Sequence, residues 1–187
     1  MMKYKIVELD QNTDEWLEWR YGGIGASDAS TIMGENRFKS PEELLHEKVN
    51  HIDEPQNEAM AEGKRLEPIA RDEYQAETGN LVEAICIQSI EYPWIRASLD
   101  GFNEDKQYLV EIKCGRSAYK KAEYGEVPDY YMGQLQHQLM LTGLACLDYQ
   151  CYWPQCPGIL INVDRDDRYI KKLFKVENEF YSKMKKS

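Results

Sequence analysis

The residues best suited to chemistry lie between Ala97 and Lys113, in ASLDG, a polar turn and YLVEIKC. Glu111 and Lys113 are two apart in a strand-like stretch, so their side chains share one face while Val110 and Ile112 take the other into a core. Asp100 closes the preceding strand pattern, and a hairpin-like return brings it alongside Glu111. Two carboxylates and an ammonium then converge on one small volume. Close carboxylates repel unless a cation joins them, and a pair of hard oxygen donors suits Mg²⁺ or Mn²⁺. A D…ExK match is short and common, however, and a surface hairpin with scattered charge carries the same letters. The surrounding chain has to decide between the two.

The chain is long enough to position such a site. Its 187 residues can bury about 70% of their unfolded surface as one domain. No repeat, linker or low-complexity block divides it, so residues 1–187 are read as a single domain. Hydrophobic residues at 42% and charged residues at 30% place it among soluble globular proteins. No apolar run reaches the roughly 20 residues of a membrane span. The opening MMKYKIVELD has no apolar signal-peptide core. Five cysteines, an odd number without framework spacing, fit a reducing cytosol, and the expected location is cytoplasmic. The net charge of −10 weighs against nucleic acid, which is bound mainly by Lys and Arg. A site that collects cations needs acids, though, and a basic patch can coexist with an acidic outer surface.

Taken in order, Ile6, Val7 and Leu9 suggest an opening strand or arm. Thr13 is placed to cap a helix through Trp16, Trp19 and Arg20 that stops at Gly22–Gly23, with Asp14 and Glu15 favoured in its first turn. IGASDASTIMG reads as a turn into a short helix capped by Ser27 or Asp28, whose free N–H groups could hold an anion. The bland alternative has Arg20 paired with a local carboxylate and Ser27 merely capping. Ser40-Pro41-Glu42-Glu43 is a capping box opening a third helix, followed by a polar loop from Asn50 to Gln56. A long helix from about Asn57 to Thr78 ends at Gly79. It aligns Gly63, Glu67, Ala70 and Tyr74 on one face, with Glu67 either a site residue or a rim charge beside Lys64 or Arg71. LVEAICIQSIEY, WIRASLD and YLVEIK predict three strands. Residues 114–127 read as irregular or partly helical. A helix from Pro128 to Gly143 follows, with a Met132, Leu135, Leu139 stripe for the core and Tyr131, Gln134 and Gln138 on an adjacent face. Two more strands and a terminal helix from about Asp166 close the chain. The central order, helix, three strands, helix, strand, predicts an α/β architecture with a mixed central sheet flanked by helices.

With Glu67, Asp100, Glu111-Ile112-Lys113 and Gln134 placed along it, this αβββαβ order resembles the PD-(D/E)xK nucleases and their restriction-endonuclease-like core. Within them the chain looks like the lambda exonuclease and YqaJ-like viral recombinase type. Trp16-Leu17-Glu18-Trp19-Arg20 followed by Gly25-Ala26-Ser27 is similar to the family's opening motif. Gly63 to Glu67, Ala97-Ser98-Leu99-Asp100-Gly101 and Tyr131 to Gln136 match three more in the right order. Leu99 stands where the family often has Pro, and Gly115 where Pro is frequent after the residue following the lysine. The resemblance implies that Asp100 and Glu111, with the backbone carbonyl of Ile112, hold Mg²⁺, for which Mn²⁺ would substitute. It implies that Glu67 binds a second metal or its water, that Lys113 positions the attacking water, and that Gln134 orients either. Arg20, Ser27 and Ser98 match positions that form a pocket for a terminal 5′-phosphate. The implied activity is 5′→3′ digestion of linear double-stranded DNA to mononucleotides, leaving 3′ single strands for phage-type recombination. The implied assembly is a homotrimer ring around DNA, working with a single-strand annealing recombinase in a bacterial cell from a phage or prophage gene. Arg37, Lys39, Arg116, Lys120 and Lys121 are then expected to face the channel.

Three alternatives compete. Cys146, Cys151 and Cys156 invite an iron–sulfur reading, but their spacing lacks the close pair such clusters use and buried thiols are common. A nicking or restriction-type endonuclease shares the metal centre but has no use for a 5′-phosphate pocket. A non-catalytic DNA-end-binding protein has no reason to keep Asp100, Glu111 and Lys113 together.

Overall fold

A computed structural model describes residues 2–52 and 57–186. The end of the polar loop predicted from Asn50 to Gln56 lies outside the described residues. The first strand, β1 (Tyr4–Val7), is followed by α1 (Asp14–Tyr21), a single 3₁₀ turn (Ala26–Asp28), α2 (Ala29–Ile32) and α3 (Pro41–Asn50). Then come α4 (Glu58–Thr78), β2 (Glu83–Ser89), β3 (Arg96–Asn103), β4 (Tyr108–Cys114), α5 (Arg116–Ala122), α6 (Asp129–Thr142), β5 (Cys146–Tyr152), β6 (Ile159–Asp164) and α7 (Asp167–Met184). The six strands form one sheet in chain order. Only β4 and β5 run parallel; the other neighbours are antiparallel. The α5–α6 segment is the crossover that a parallel pair requires.

Local chemistry sets most of the helix ends. Thr13 Oγ accepts from the Trp16 amide, and Ser40 and Glu43 complete the reciprocal capping box. Gly79 and Gly143 end α4 and α6 at φ 74° and 76°, left-handed positions where glycine has no Cβ penalty. Of the two expected caps, Asp28 holds the N-cap position of α2, though its side chain makes no capping bond there, and Ser27 does not. Gly25 is the N-cap of the 3₁₀ turn, and the Asp28 carboxylate bonds back to its amide. Ser27 lies inside that turn with an exposed side chain, and α2 has no side-chain cap.

The sheet has a core on each face. On one, Leu66, Ala70 and Tyr74 of α4 pack against Val110, Ile112 and Tyr152. On the other, Leu135 and Leu139 of α6 pack with Ile87, Leu99, Leu147 and Tyr149. Gly133 brings α6 close to α2: a Cβ there would stand 2.6 Å from Ser30 Oγ and 2.7 Å from the Ser30 backbone nitrogen. Backbone cannot swing aside as a side chain can, so Gly133→Ala is expected to lower stability by about 1–3 kcal/mol. Urea unfolding of the variant checks this.

A buried polar pair also joins α6 to α7. His137 is fully buried; its Nδ1 lies 2.6 Å from Glu177 Oε1 and its Nε2 2.9 Å from the Arg96 carbonyl. Two acceptors require two donors, so the ring is an imidazolium. Burial alone would lower its pKa, but the Glu177 charge and the two hydrogen bonds outweigh burial and raise it. A folded pKa above the unfolded value gives stability that is complete below the unfolded pKa of about 6.5 and is lost as pH rises through the folded value. Urea midpoints are therefore expected to fall as pH rises above about 6.5, and to fall less in His137→Gln.

Candidate active site

Glu111 is the centre of a hydrogen-bonded cluster between β4 and α6. It is 1% exposed. Its Oε1 accepts from Lys113 Nζ and from Gln134 Nε2, each at 2.6 Å, and its Oε2 accepts from Gln138 Nε2 at 2.5 Å. Gln134 Oε1 in turn accepts from Lys113 Nζ at 3.1 Å, and the Tyr131 ring centroid lies 4.7 Å from the ammonium. The adjacent face of α6 predicted from spacing thus delivers Tyr131, Gln134 and Gln138 together. Gln138 had no role in the sequence reading, although its place four residues after Gln134 was a signal. Burial alone would depress the Lys113 pKa, but the charges of Glu111 and Asp100 raise it overall, so Lys113 stays an ammonium.

Asp100 reaches the cluster by a different route from the one expected. The strand does not end there: β3 continues to Asn103, and the turn falls at residues 104–107. Between the pairs Ile85↔Leu99 and Glu83↔Phe102, β3 has two residues, Asp100 and Gly101, where β2 has one. ASLDG is therefore a β-bulge, a device that re-aims a side chain. Gly101 makes room for it, because a Cβ would come within 2.6 Å of Val110 and 2.8 Å of Val82. Regular pairing with β4 begins at Gly101↔Val110, and Asp100 Oδ2 instead accepts from the Ile112 amide at 2.9 Å. Leu99, in place of the family's Pro, is a fully buried core residue. Gly115, with φ 177°, is in extended backbone that other residues adopt but proline, fixed near φ −65°, does not, so the family's Pro would need a different backbone here.

Glu67, on α4, is paired with Arg71 at 2.5 Å, as the rim-charge alternative supposed, yet it also lines the site. Arg71 donates to the Asp100 carbonyl as well, tying α4 to the bulge. Desolvation, then the charges of Glu111 and Glu67, push the Asp100 carboxyl well above the usual range. Glu67 is raised by desolvation, with Arg71 opposing. Three mutually repelling carboxylates supply hard oxygen donors, and a divalent cation would relieve their repulsion. In donor chemistry Glu67, Asp100 and Glu111 fit such an ion. They are not a finished shell: among the described residues no three His, Cys, Asp or Glu side chains are grouped as metal ligands. Glu111 is engaged by Lys113, Gln134 and Gln138, and Glu67 by Arg71.

The second set of residues meets the first in one cleft. Arg20 Nη2 donates to Ser27 Oγ at 2.9 Å. The Arg20 guanidinium lies over the Trp16 ring, 4.5 Å from its centroid, and Trp16 Nε1 donates to Ser98 Oγ at 2.7 Å. A cavity of about 170 Å³ is lined by Arg20, Ser27 and Ser98 and also by Glu67, Asp100 and Gln134. Trp16 matched the opening motif but had no role of its own in the sequence; its place four residues before Arg20 on α1 was a signal for the first contact, and only the fold reveals the second, to Ser98 across 82 positions. The α2 helix is a single uncapped turn, so the expected helix-end contribution to anion binding falls away and leaves Arg20 and the two hydroxyls as the groups in this cavity suited to an anion.

Sheet order, flanking helices and the β3–β4–α6 site define an α/β protein of restriction-endonuclease-like fold. The chain belongs to the YqaJ-like viral recombinase domain family, which it matches over residues 15–145. It is 34% identical over 184 residues to protein YqaJ of Bacillus subtilis strain 168, covering 92% of this chain and 56% of that protein. The chain thus spans little more than half the length of that relative. The crystal structure of an alkaline exonuclease, LHK-Exo from Laribacter hongkongensis, matches with TM-score 0.81 at 27% identity over 92% of this chain and 93% of that one. LHK-Exo has also been solved in complex with dAMP. A phage related exonuclease from Haemophilus somnus 129PT shares the fold, with TM-score 0.65 at 14% identity over 87% of this chain and 94% of that one.

Proposed function

We propose that this chain is a metal-dependent exonuclease that enters linear double-stranded DNA at 5′-phosphorylated ends, digests it 5′→3′ to mononucleotides and leaves 3′ single strands for recombination. The shared cleft carries the reading: the Arg20, Ser27 and Ser98 side chains line the same cavity as Glu67, Asp100 and Gln134. An arginine fork and two hydroxyls suit a phosphate monoester. A pocket for a terminal phosphate beside a hydrolytic centre fixes the distance from the DNA end to the bond that is cut. The similarity to LHK-Exo supports this, since dAMP is the kind of mononucleotide such a reaction releases.

Asp100, Glu111 and the Ile112 carbonyl would hold Mg²⁺, or Mn²⁺ in its place, with Glu67 at a second ion or its water. When bound, the ion supplies an activated water and neutralises charge on the phosphoryl group. Lys113, held as an ammonium, orients that water and stabilises developing negative charge; it cannot act as a proton acceptor. Gln134 locks Lys113 against Glu111, and Gln138 holds the other Glu111 oxygen. Arg116, Lys120 and Lys121 are exposed on α5, and with Arg37 and Lys39 we place them along the path of the DNA backbone. By analogy with the family, the working form is a homotrimer ring and the partner a single-strand annealing recombinase. Only monomers at micromolar concentration in sedimentation would remove the ring. No helix among the described residues is long and apolar enough to cross a membrane.

Covalently closed circular DNA separates this reading from an endonuclease. A mixture of linear and closed duplex with Mg²⁺ is expected to lose only the linear form. Cutting of the circle would make the protein an endonuclease, and survival of both would leave an end-binding protein.

A further inference from the structure

A buried ion pair lies beneath the end-binding pocket, and the hydrolytic chemistry above does not use it. Lys48 on α3 and Asp28 at the end of the 3₁₀ turn are 5% and 6% exposed, and Lys48 Nζ lies 2.5 Å from Asp28 Oδ2. The same Nζ donates to the Arg20 backbone carbonyl at 3.0 Å. The same Oδ2 accepts from the Gly25 amide at 2.8 Å. One pair therefore ties the last turn of α1, the Gly25 turn and α3 together. Arg20 and Ser27, the two residues that meet above it, stand on the segments it joins.

Charge adds a second consequence. Asp28 Oδ2, Arg20 Nε and Ser27 Oγ lie 3.4, 3.9 and 4.0 Å from the point where a Cβ on Gly25 would stand. All three groups surround that one point, and a carboxylate within reach of a guanidinium would draw it as a salt-bridge partner and would repel an incoming phosphate. Lys48 occupies the carboxylate from the buried side, and Arg20 bonds to Ser27 Oγ instead. We propose that Lys48 and Asp28 are the positioning pair of the end pocket: Asp28 anchors the Gly25–Ser27 turn, and Lys48 neutralises Asp28 so that Arg20 keeps its charge for a 5′-phosphate. This rests on the 5′-phosphate reading and assigns a task in it to Lys48, which does not line the cleft.

The test is the ratio of kcat/KM on 5′-phosphorylated against 5′-hydroxyl linear duplex, with Mg²⁺ present. In Lys48→Met the freed Asp28 carboxylate captures Arg20, and the ratio is expected to fall at least about tenfold, chiefly through KM on phosphorylated ends. The double variant Lys48→Met/Asp28→Asn removes both charges and is expected to recover most of the ratio, since a buried pair replaced as a unit is well tolerated. If Lys48→Met does not fold, Lys48→Gln, which keeps a donor without the charge, carries the same expectation. A merely structural pair would lower both rates alike and leave the ratio unmoved; that result, or a double variant no better than the single, overturns the proposal. A wild type that already treats both ends equally overturns the 5′-phosphate reading itself, and this inference with it.

Discussion

In the Lys113→Ala variant, metal-dependent DNA hydrolysis is expected to fall by about a thousandfold or more, with the fold retained. The side chain ends among Glu111 and Gln134 rather than in the apolar core, so its loss removes little apolar packing. What it removes is the ammonium held between Glu111 at 2.6 Å and Gln134 at 3.1 Å. Glu111 keeps Gln134 and Gln138 as donors, so stability should drop by about 1–3 kcal/mol rather than collapse. Adding Glu111→Gln removes the uncompensated buried charge and should restore part of the stability, yet none of the activity. Single-turnover digestion and urea unfolding on the same preparations separate the two effects. A variant as active as the wild type would remove Lys113 from the mechanism.

The second large effect is on end recognition. Arg20→Ala is expected to cost about a hundredfold in kcat/KM on 5′-phosphorylated duplex, the value of a charge-assisted fork to a phosphate. The guanidinium is held ready by the Trp16 ring at 4.5 Å and by Ser27 Oγ at 2.9 Å, so little ordering entropy opposes binding. On 5′-hydroxyl ends the same variant should lose far less, because there is no terminal dianion to hold. Arg20→Lys should recover only part of the loss, since a point charge cannot stack on Trp16 or reach two oxygens at once. Competition assays with phosphorylated and hydroxyl ends in one tube give the ratio directly. Equal losses on both would mean that Arg20 is structural.

What was legible in the chain was local. Strand alternation put Glu111 and Lys113 together, because the period of two is a property of each strand alone. Thr13, Ser40, Gly79 and Gly143 marked helix ends through bonds within a few residues. The mixed sheet followed from the order of elements. The misses were set by packing between distant segments. ASLDG read as a strand end, but the strand runs on through a bulge at Asp100–Gly101, where Gly101 is packed closely by Val110 of β4 and by Val82 just before β2. Ser27 or Asp28 read as the cap; Asp28 holds the N-cap position, but its carboxylate turns back to the Gly25 amide and to Lys48, twenty positions on, a partner that local spacing does not name. Glu177 sits on the apolar stripe of α7 and Gln138 and His137 lie off the predicted stripe of α6, yet all three are buried, each against a partner 27 to 40 residues away. Polar residues in a buried face signal a network, but periodicity alone does not name the partner.

Digestion of one linear duplex, prepared with and without a 5′-phosphate and incubated with Mg²⁺ or with a chelator, bears most directly on the joined cleft. The expected result is release of mononucleotides from the phosphorylated duplex about a hundredfold faster than from the hydroxyl form, and none with chelator. Equal rates from the two ends would contradict the shared end-binding and hydrolytic cleft, and undiminished digestion with chelator would contradict the metal centre at Asp100 and Glu111.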